Sequence, residues 1–141
     1  MGQPTGTDEF ARICRRISLN LPPDCRWRWD DRYNLALVVF NQEDFDLIYM
    51  PILLEFENRW DFSTLANACP AVRDIAAKGF GMMPGQEIFA TGHGEDNGSY
   101  LFAALWPWGD DNSYSLRVGL VSRQLSLEDA RSLLSDWLDI R

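Results

Sequence analysis

The chain has 141 residues, 46% of them hydrophobic, and it carries a formal net charge of -8 at pH 7. This length is typical of one domain with a sizeable core, so we expect residues 1–141 to form a single domain, with 1–6 as a flexible tail. The negative charge disfavours binding to nucleic-acid phosphates and to anionic membranes, and it favours a basic protein partner.

The first third of the chain predicts a helix followed by a β-hairpin. Thr7 can cap the helix, and the apolar residues recur at i, i+3, i+4 and i+7, beginning at Phe10. Pro22-Pro23 ends this segment. The alternating stretch 25–29 and the apolar stretch 33–40 then predict two strands joined by a turn.

The stretch from Phe45 to Phe56 fits two structures. Its apolar residues are spaced as on a helix, but Pro51 lies in the middle. Proline in a helix interior costs about 3 kcal/mol, because it lacks a backbone donor and clashes with the preceding turn. We predict a strand that runs from Asp46 toward Tyr49 and bends at Pro51, with a helix as the alternative.

Helical segments are expected after this stretch. Asp61 or Ser63 can cap a helix that contains residues 65–68. Pro70 suits the first turn of a further helical stretch over 71–78, which Gly79 would close.

The last part of the chain predicts three strands and a helix. The strands are expected at 87–91, 100–106 and 114–121, because their connections are rich in Gly, Asp and Asn. Ser126 then caps an amphipathic helix. The resulting order is roughly α-β-β-β-α-β-β-β-α, which indicates an α+β fold with helices packed on one face of an antiparallel sheet.

Residues suited to catalysis or to metal binding are sparse. The single histidine, His93, lies in a glycine-rich turn, where an exposed loop residue is a simpler interpretation than a general base oriented by Glu95 or Asp96. The three cysteines lack the spacing of a zinc site. We therefore predict a protein that is not an enzyme and needs no metal or cofactor, with a small enzyme built on His93 as an alternative.

The sequence also indicates where the protein works. The N-terminal residues lack the basic flank and the apolar stretch of a signal peptide. No apolar run approaches the ~20 residues that span a bilayer. We expect a cytoplasmic protein that does not enter a membrane.

Tryptophans are the best indication of a binding surface. Trp27 and Trp29 alternate with arginines along one strand, and Trp108 lies in a turn beside Gly109. Exposed Trp, Tyr and Arg are common anchors of protein interfaces, so these three tryptophans are predicted to contact a partner. A core position is the alternative for Trp27 and Trp29, and it is the interpretation that we prefer for Trp106.

Two stretches are similar to a known family. Residues 64–68, Thr-Leu-Ala-Asn-Ala, are comparable to a run in the family's central helix, and residues 125–134 to the end of its last strand and its final helix. Together with the element order, size and acidity, they resemble the class I chaperones of type III secretion systems, from about Phe10 to Leu138. That family has an α-β-β-β-α-β-β-α core. This chain departs from it in two features, a third strand in its second half and the helical stretch after Pro70.

The resemblance implies a secretion chaperone that holds an effector segment, partly by adding a strand at an exposed sheet edge, and it implies a homodimer. The contacts that it implies are Trp27 and Trp29 together with alternating positions of the next strand, Leu35, Leu37 and Val39.

The competing hypothesis is a bacterial immunity protein that occludes the active site of a basic, co-encoded toxin. Its contact surface would consist of two acidic turns, with Trp108 as the anchor. The acidic residues of these turns are Glu95, Asp96, Asp110 and Asp111.

Overall fold

The computed structural model describes residues 7–61, 63–68, 73, 85–91, 99–107 and 112–140. Within these ranges the α-helices are α1 (Thr7–Leu19), α2 (Phe45–Glu55) and α3 (Leu127–Leu138). The strands are β1 (Arg28–Asp30), β2 (Leu35–Asn41), β3 (Asn58–Asp61), β4 (Glu87–Ala90), β5 (Ser99–Pro107) and β6 (Ser113–Ser122). Short 3-10 helices occupy Gln42–Asp44 and Leu65–Asn67.

The strands of the described residues form one antiparallel sheet in the order β1-β2-β6-β5-β4-β3. The predicted hairpin joins β1 to β2 through a turn in which Asn34 has a φ of 59°, a left-handed conformation that asparagine tolerates. β2 then pairs with β6, far along the chain, with Ala36 opposite Val118. The two outer strands are short, which limits unwanted pairing at the sheet edges.

The three helices pack on one face of the sheet, as predicted. The apolar stripe of α1 is buried, and so are Ala130, Leu134 and Leu138 of α3. They meet alternate residues of the central strands, because successive side chains of a strand point to opposite faces. These strand residues are Ala36, Val38, Phe40, Leu101, Ala103, Leu105, Leu116, Val118 and Leu120. The layout confirms the predicted α+β class.

The opposite face of the sheet carries a second, smaller core. Trp106 is buried there, as the sequence indicated, among Leu35, Ala68, Ile88, Ala90, Tyr100, Phe102 and Ala104. Arg117 also lies on this face, where its charge pairs with Asp30 at 3.1 Å. Because both faces are covered, β5 is buried at every position from 99 to 106 instead of alternating between apolar and polar residues.

Residues 45–55 form α2, so the predicted strand from Asp46 toward Tyr49 is wrong and the helical alternative is correct. Ile48 and Ile52 are fully buried on the inner side of α2. Burial of two such side chains contributes roughly 1.5–3 kcal/mol each, which offsets the cost of Pro51 inside the helix. Leu47, whose carbonyl would accept a hydrogen bond from residue 51 in a regular helix, is 57% exposed.

The chain after α2 also differs from the prediction. β3 is a strand that the sequence pattern did not indicate, and it pairs Trp60 with Ile88. A 3-10 turn at Leu65–Asn67 replaces the predicted helix, because Asp61 accepts hydrogen bonds from the backbone N–H groups just after it and closes a turn. The helical stretch predicted over 71–78 lies, apart from Arg73, outside the described residues. The described elements follow the order α-β-β-α-β-β-β-β-α.

Candidate functional site

The residues predicted to contact a partner divide between the two sides of the sheet. Trp27 and Trp29 lie on the helix-bearing side, half-buried against the main core. The indole N–H of Trp27 donates to Ser18 Oγ at 3.0 Å. The guanidinium of Arg131, on α3, lies over the Trp29 ring at 4.5 Å. Both tryptophans therefore contact helices of the same chain.

The side chains of Leu35, Leu37 and Val39 lie on the opposite side. The register requires this division, because Trp29 pairs with Ala36 and neighbouring positions alternate. Leu35 and Leu37 are buried, and Val39 is half-buried. The two tryptophans and the three strand residues therefore lie on opposite sides of the sheet, and their role as partner contacts stays a prediction.

The other predicted contacts lie outside the described residues, and their proposed roles remain predictions. They are Trp108, Glu95, Asp96, Asp110 and Asp111. His93, the residue on which the alternative enzyme hypothesis depends, lies there as well.

The structure shows an exposed apolar surface that the sequence interpretation missed. Four large side chains of α2 face away from the core, and their exposed fractions are 57% for Leu47, 51% for Met50, 38% for Leu53 and 77% for Leu54. We call these four residues the α2 surface. Leu47, Met50 and Leu54 occupy positions i, i+3 and i+7, so they follow one side of the helix.

An ion-pair cluster fixes the C-terminal end of α2 to α1. One carboxylate oxygen of Glu55 accepts a hydrogen bond from Arg12 at 2.7 Å, and the other lies 3.4 Å from Nε of Arg16. The side chain of Glu55 is only 9% exposed, although both arginines are about half exposed. Because the carboxylate is partly shielded from water, its attraction to the arginines is stronger than in a fully exposed pair.

A second polar cluster fixes α2 to the sheet. The Tyr49 hydroxyl donates to Glu87 Oε2 at 3.1 Å, and Arg59 donates to Tyr49 Oη at 3.2 Å and to Glu87 at 3.0 Å. Burial, together with the hydrogen bond to Glu87, raises the pKa of Tyr49. The hydrogen bond to Tyr49 and the charge of Glu87 raise the pKa of Arg59. The phenol therefore stays neutral and the guanidinium stays charged around neutral pH.

Aromatic contacts complete the packing under α2. The ring of Phe45 stacks on Tyr49 with centroids 4.8 Å apart and contacts Tyr114 of β6 at 4.7 Å. The helix is thus held along its length, and the α2 surface is presented in a fixed arrangement. A preorganised surface loses little conformational freedom when a partner binds.

The signal for the α2 surface was present in the sequence. Residues 47–54 are apolar at every position, and a helix that is apolar all round is either fully buried or leaves an apolar side uncovered. The strand interpretation concealed this, because a period of two does not place Leu47, Met50 and Leu54 on one side.

Two features of the described residues bear on catalysis. None of their His, Cys, Asp and Glu side chains form a group of three or more that could hold a metal ion. Burial raises the pKa of Cys14 to about 12. Burial, aided by the nearby carboxylates of Asp24 and Asp44, also raises the pKa of Cys25. Neither thiol is activated as a nucleophile near neutral pH.

None of the described helices combines the length and the hydropathy that crossing a membrane requires.

Comparison with known proteins does not assign the chain to a family. No protein-family model matches it, and neither the curated proteins nor the solved structures give a significant match. The candidate site therefore depends on the geometry of the described residues.

Proposed function

We propose that the chain is a non-enzymatic protein-binding module and that the α2 surface is its binding face. The observation that supports this is the exposure of Leu47, Met50 and Leu54 at i, i+3 and i+7. Helices that dock in an apolar groove use this spacing. Exposed apolar patches with a polar rim mark interaction sites, and each of these side chains would contribute roughly 1.5–3 kcal/mol if a partner buried it fully.

The partner is expected to carry basic residues around an apolar centre. Glu43 and Asp46 are exposed beside the α2 surface, about one helical turn before Leu47 and Met50. Their charges add to the net charge of -8 on the whole chain. Complementary charges accelerate encounter and disfavour acidic partners, so lysines or arginines on the partner would flank the group that covers the α2 surface.

A bacterial secretion chaperone is the role that we propose for this module. Such a chaperone holds a non-globular segment of its effector, and the α2 surface supplies exposed apolar area that a segment of this kind can cover. In this role the protein is cytoplasmic and forms a dimer, as the resemblance to the class I chaperones implies.

An immunity protein is the second candidate, and the carboxylates beside the α2 surface favour it. Glu43 and Asp46 could pair with basic residues around the active site of a toxin while the α2 surface covers an apolar part of the same domain.

The test begins with affinity purification of the tagged chain from its native cell and identification of the co-purifying protein. The affinity of that protein is then measured for the Met50→Ser/Leu54→Ser variant and for Leu19→Ser. Leu19 is 85% exposed on α1 and provides a matched control outside the α2 surface. We expect the double variant to bind about a hundredfold more weakly and Leu19→Ser to bind normally. Equal affinities of the two variants would contradict the proposal.

The identified partner also separates the two roles. A chaperone binds a disordered fragment of its client, whereas an immunity protein binds a folded toxin domain and inhibits it. Glu43→Gln/Asp46→Asn should slow association with a basic toxin, most strongly at low salt. Binding of an unfolded fragment alone would contradict the immunity role, and inhibition of a folded enzyme would contradict the chaperone role.

A further inference from the structure

A cleft lies at one end of the sheet, away from the α2 surface. The pairing of β2 with β6 begins at Ala36, which lies opposite Val118. β6 therefore extends past the start of β2, as far as Ser122. Beyond that point the β1–β2 turn and the connection from β6 to α3 enclose a cleft of about 430 Å³. Sites for small molecules typically have volumes of roughly 300–1,000 Å³.

The interior of the cleft is apolar and firmly packed. Phe102, Leu120 and Leu134 line it and are 3%, 9% and 1% exposed. Phe102 and Leu35 close tightly over Gly119, where an added Cβ would lie 2.4 Å from the ring and 2.6 Å from the leucine methyl. An apolar interior of this kind favours an apolar group over water.

Two arginines of the cleft are positioned by aromatic rings. Arg131 lies 4.5 Å from the centroid of Trp29, and Arg32 lies 4.6 Å from the centroid of Tyr33. All four residues line the cleft. Stacking occupies the face of a guanidinium and leaves its N–H edge able to donate two hydrogen bonds to a carboxylate.

The ion pair that Arg131 makes within the chain is weak enough to be replaced. Its partner is Asp31, at 3.2 Å, with a side chain that is 80% exposed. Exposed pairs of this kind contribute little to stability. A ligand carboxylate can therefore take the position of Asp31 at little cost.

We propose that this cleft binds a small amphipathic carboxylate, with its apolar body against Phe102, Leu120 and Leu134 and its carboxylate at Arg131 and Arg32. A single negative charge suits the site, because Asp31 and the acidic first turn of α3 oppose a dianion such as a phosphate monoester. The site goes beyond the proposed protein-binding function, since it shares no residue with the α2 surface.

Isothermal titration of the whole chain with decanoate tests the proposal, and 1-decanol is the uncharged probe. We expect saturable binding of decanoate, and binding of 1-decanol that is about tenfold weaker, because the alcohol lacks the charge-assisted hydrogen bonds. Arg131→Gln should weaken decanoate binding by about the same factor. Arg15→Gln removes an exposed arginine of α1 that does not line the cleft, and it should bind decanoate normally.

A second variant tests the location of the site without changing the buried residues Phe102, Leu120 and Leu134. Val121 lines the cleft and is already 38% exposed, so Val121→Trp should fill the space while the far-UV circular dichroism stays unchanged. Loss of decanoate binding in this folded variant supports the proposal. Unchanged binding in Val121→Trp, equal affinities for decanoate and 1-decanol, or tighter binding of decyl phosphate than of decanoate would each overturn it.

Discussion

Cys14 makes the stability of the protein sensitive to alkaline pH. The residue has no exposed surface, and burial raises the pKa of its thiol from the ordinary value of 9.0 to about 12. The unfolded chain therefore loses this proton at a lower pH than the folded chain does. The contribution of Cys14 to the free energy of unfolding is complete below pH 9 and declines as the pH rises toward about 12.

Urea unfolding of the parent and of Cys14→Ala between pH 7 and pH 10.5 measures this contribution. We expect the free energy of unfolding to fall less steeply above pH 9 in the variant, with a difference in slope of up to about 1.4 kcal/mol per pH unit. The alanine variant retains every other ionisable side chain, so the difference between the two curves reports the thiol of Cys14. Parallel curves for the two proteins would show that the thiol is not protected from ionisation.

Gly119 is required by the close approach of two side chains from neighbouring strands. A Cβ at this position would lie 2.4 Å from the Phe102 ring, which is buried and cannot move freely. We expect Gly119→Ala to lower the free energy of unfolding by about 1–3 kcal/mol, as overpacking does elsewhere. In urea titrations, Gly119→Ala/Phe102→Leu should cost less than the sum of the two single changes. Simple additivity would show that the ring is not the obstacle.

At the scale of the element, Ser126 determines where α3 begins. Its side chain accepts a hydrogen bond from the backbone N–H of Asp129 at 3.0 Å, which satisfies one of the free donors of the first turn. Thermal or urea unfolding of Ser126→Ala should show a loss of about 1 kcal/mol. Ser132→Ala, at an exposed position inside α3, is the matched control and should change stability little. Equal effects of the two substitutions would argue against a cap.

α2 shows where local sequence rules fail at the scale of the element. A proline inside an apolar stretch favours a bent strand when only neighbouring residues are considered. The helix forms because its inner side packs into the main core together with α1 and the strands, where Ile48 and Ile52 become fully buried. The residues that bury Ile48 and Ile52 are distant in sequence. The free energy gained by this burial therefore cannot be deduced from neighbouring residues alone. The α2 surface was missed because the strand prediction concealed its helical spacing.

At the scale of the whole molecule, the two cores share their strands. β2 contributes Ala36 to the main core and Leu35 to the smaller one, and β5 contributes Leu101 and Phe102 in the same way. Neither core can lose its packing without disturbing strands of the other. We therefore expect the described helices and strands to unfold cooperatively.

Urea unfolding followed by two signals tests that cooperativity. We expect far-UV circular dichroism, which reports helices and strands, and tryptophan fluorescence to change in one coincident transition, with a slope of about 1–3 kcal/mol per molar urea. Separate transitions would contradict the prediction that the chain is one domain.

The sequence by itself determined the elements whose pattern is local. The helical stripe from Phe10, the alternation and turn of the first hairpin, the three later strands and the cap at Ser126 all depend on residues within about ten positions of one another, and the described structure contains each of these elements. Their grouping was enough to predict an α+β fold with helices on one face of an antiparallel sheet.

Only the tertiary structure decided which surfaces are exposed. The pairing of β2 with β6 across more than seventy residues creates the cleft at the end of the sheet, and the packing of α2 leaves Leu47, Met50 and Leu54 in solvent. The tertiary structure also places Trp27 and Trp29 against helices of their own chain. Periodicity states that a side is apolar, but contacts between distant residues determine whether that side is covered.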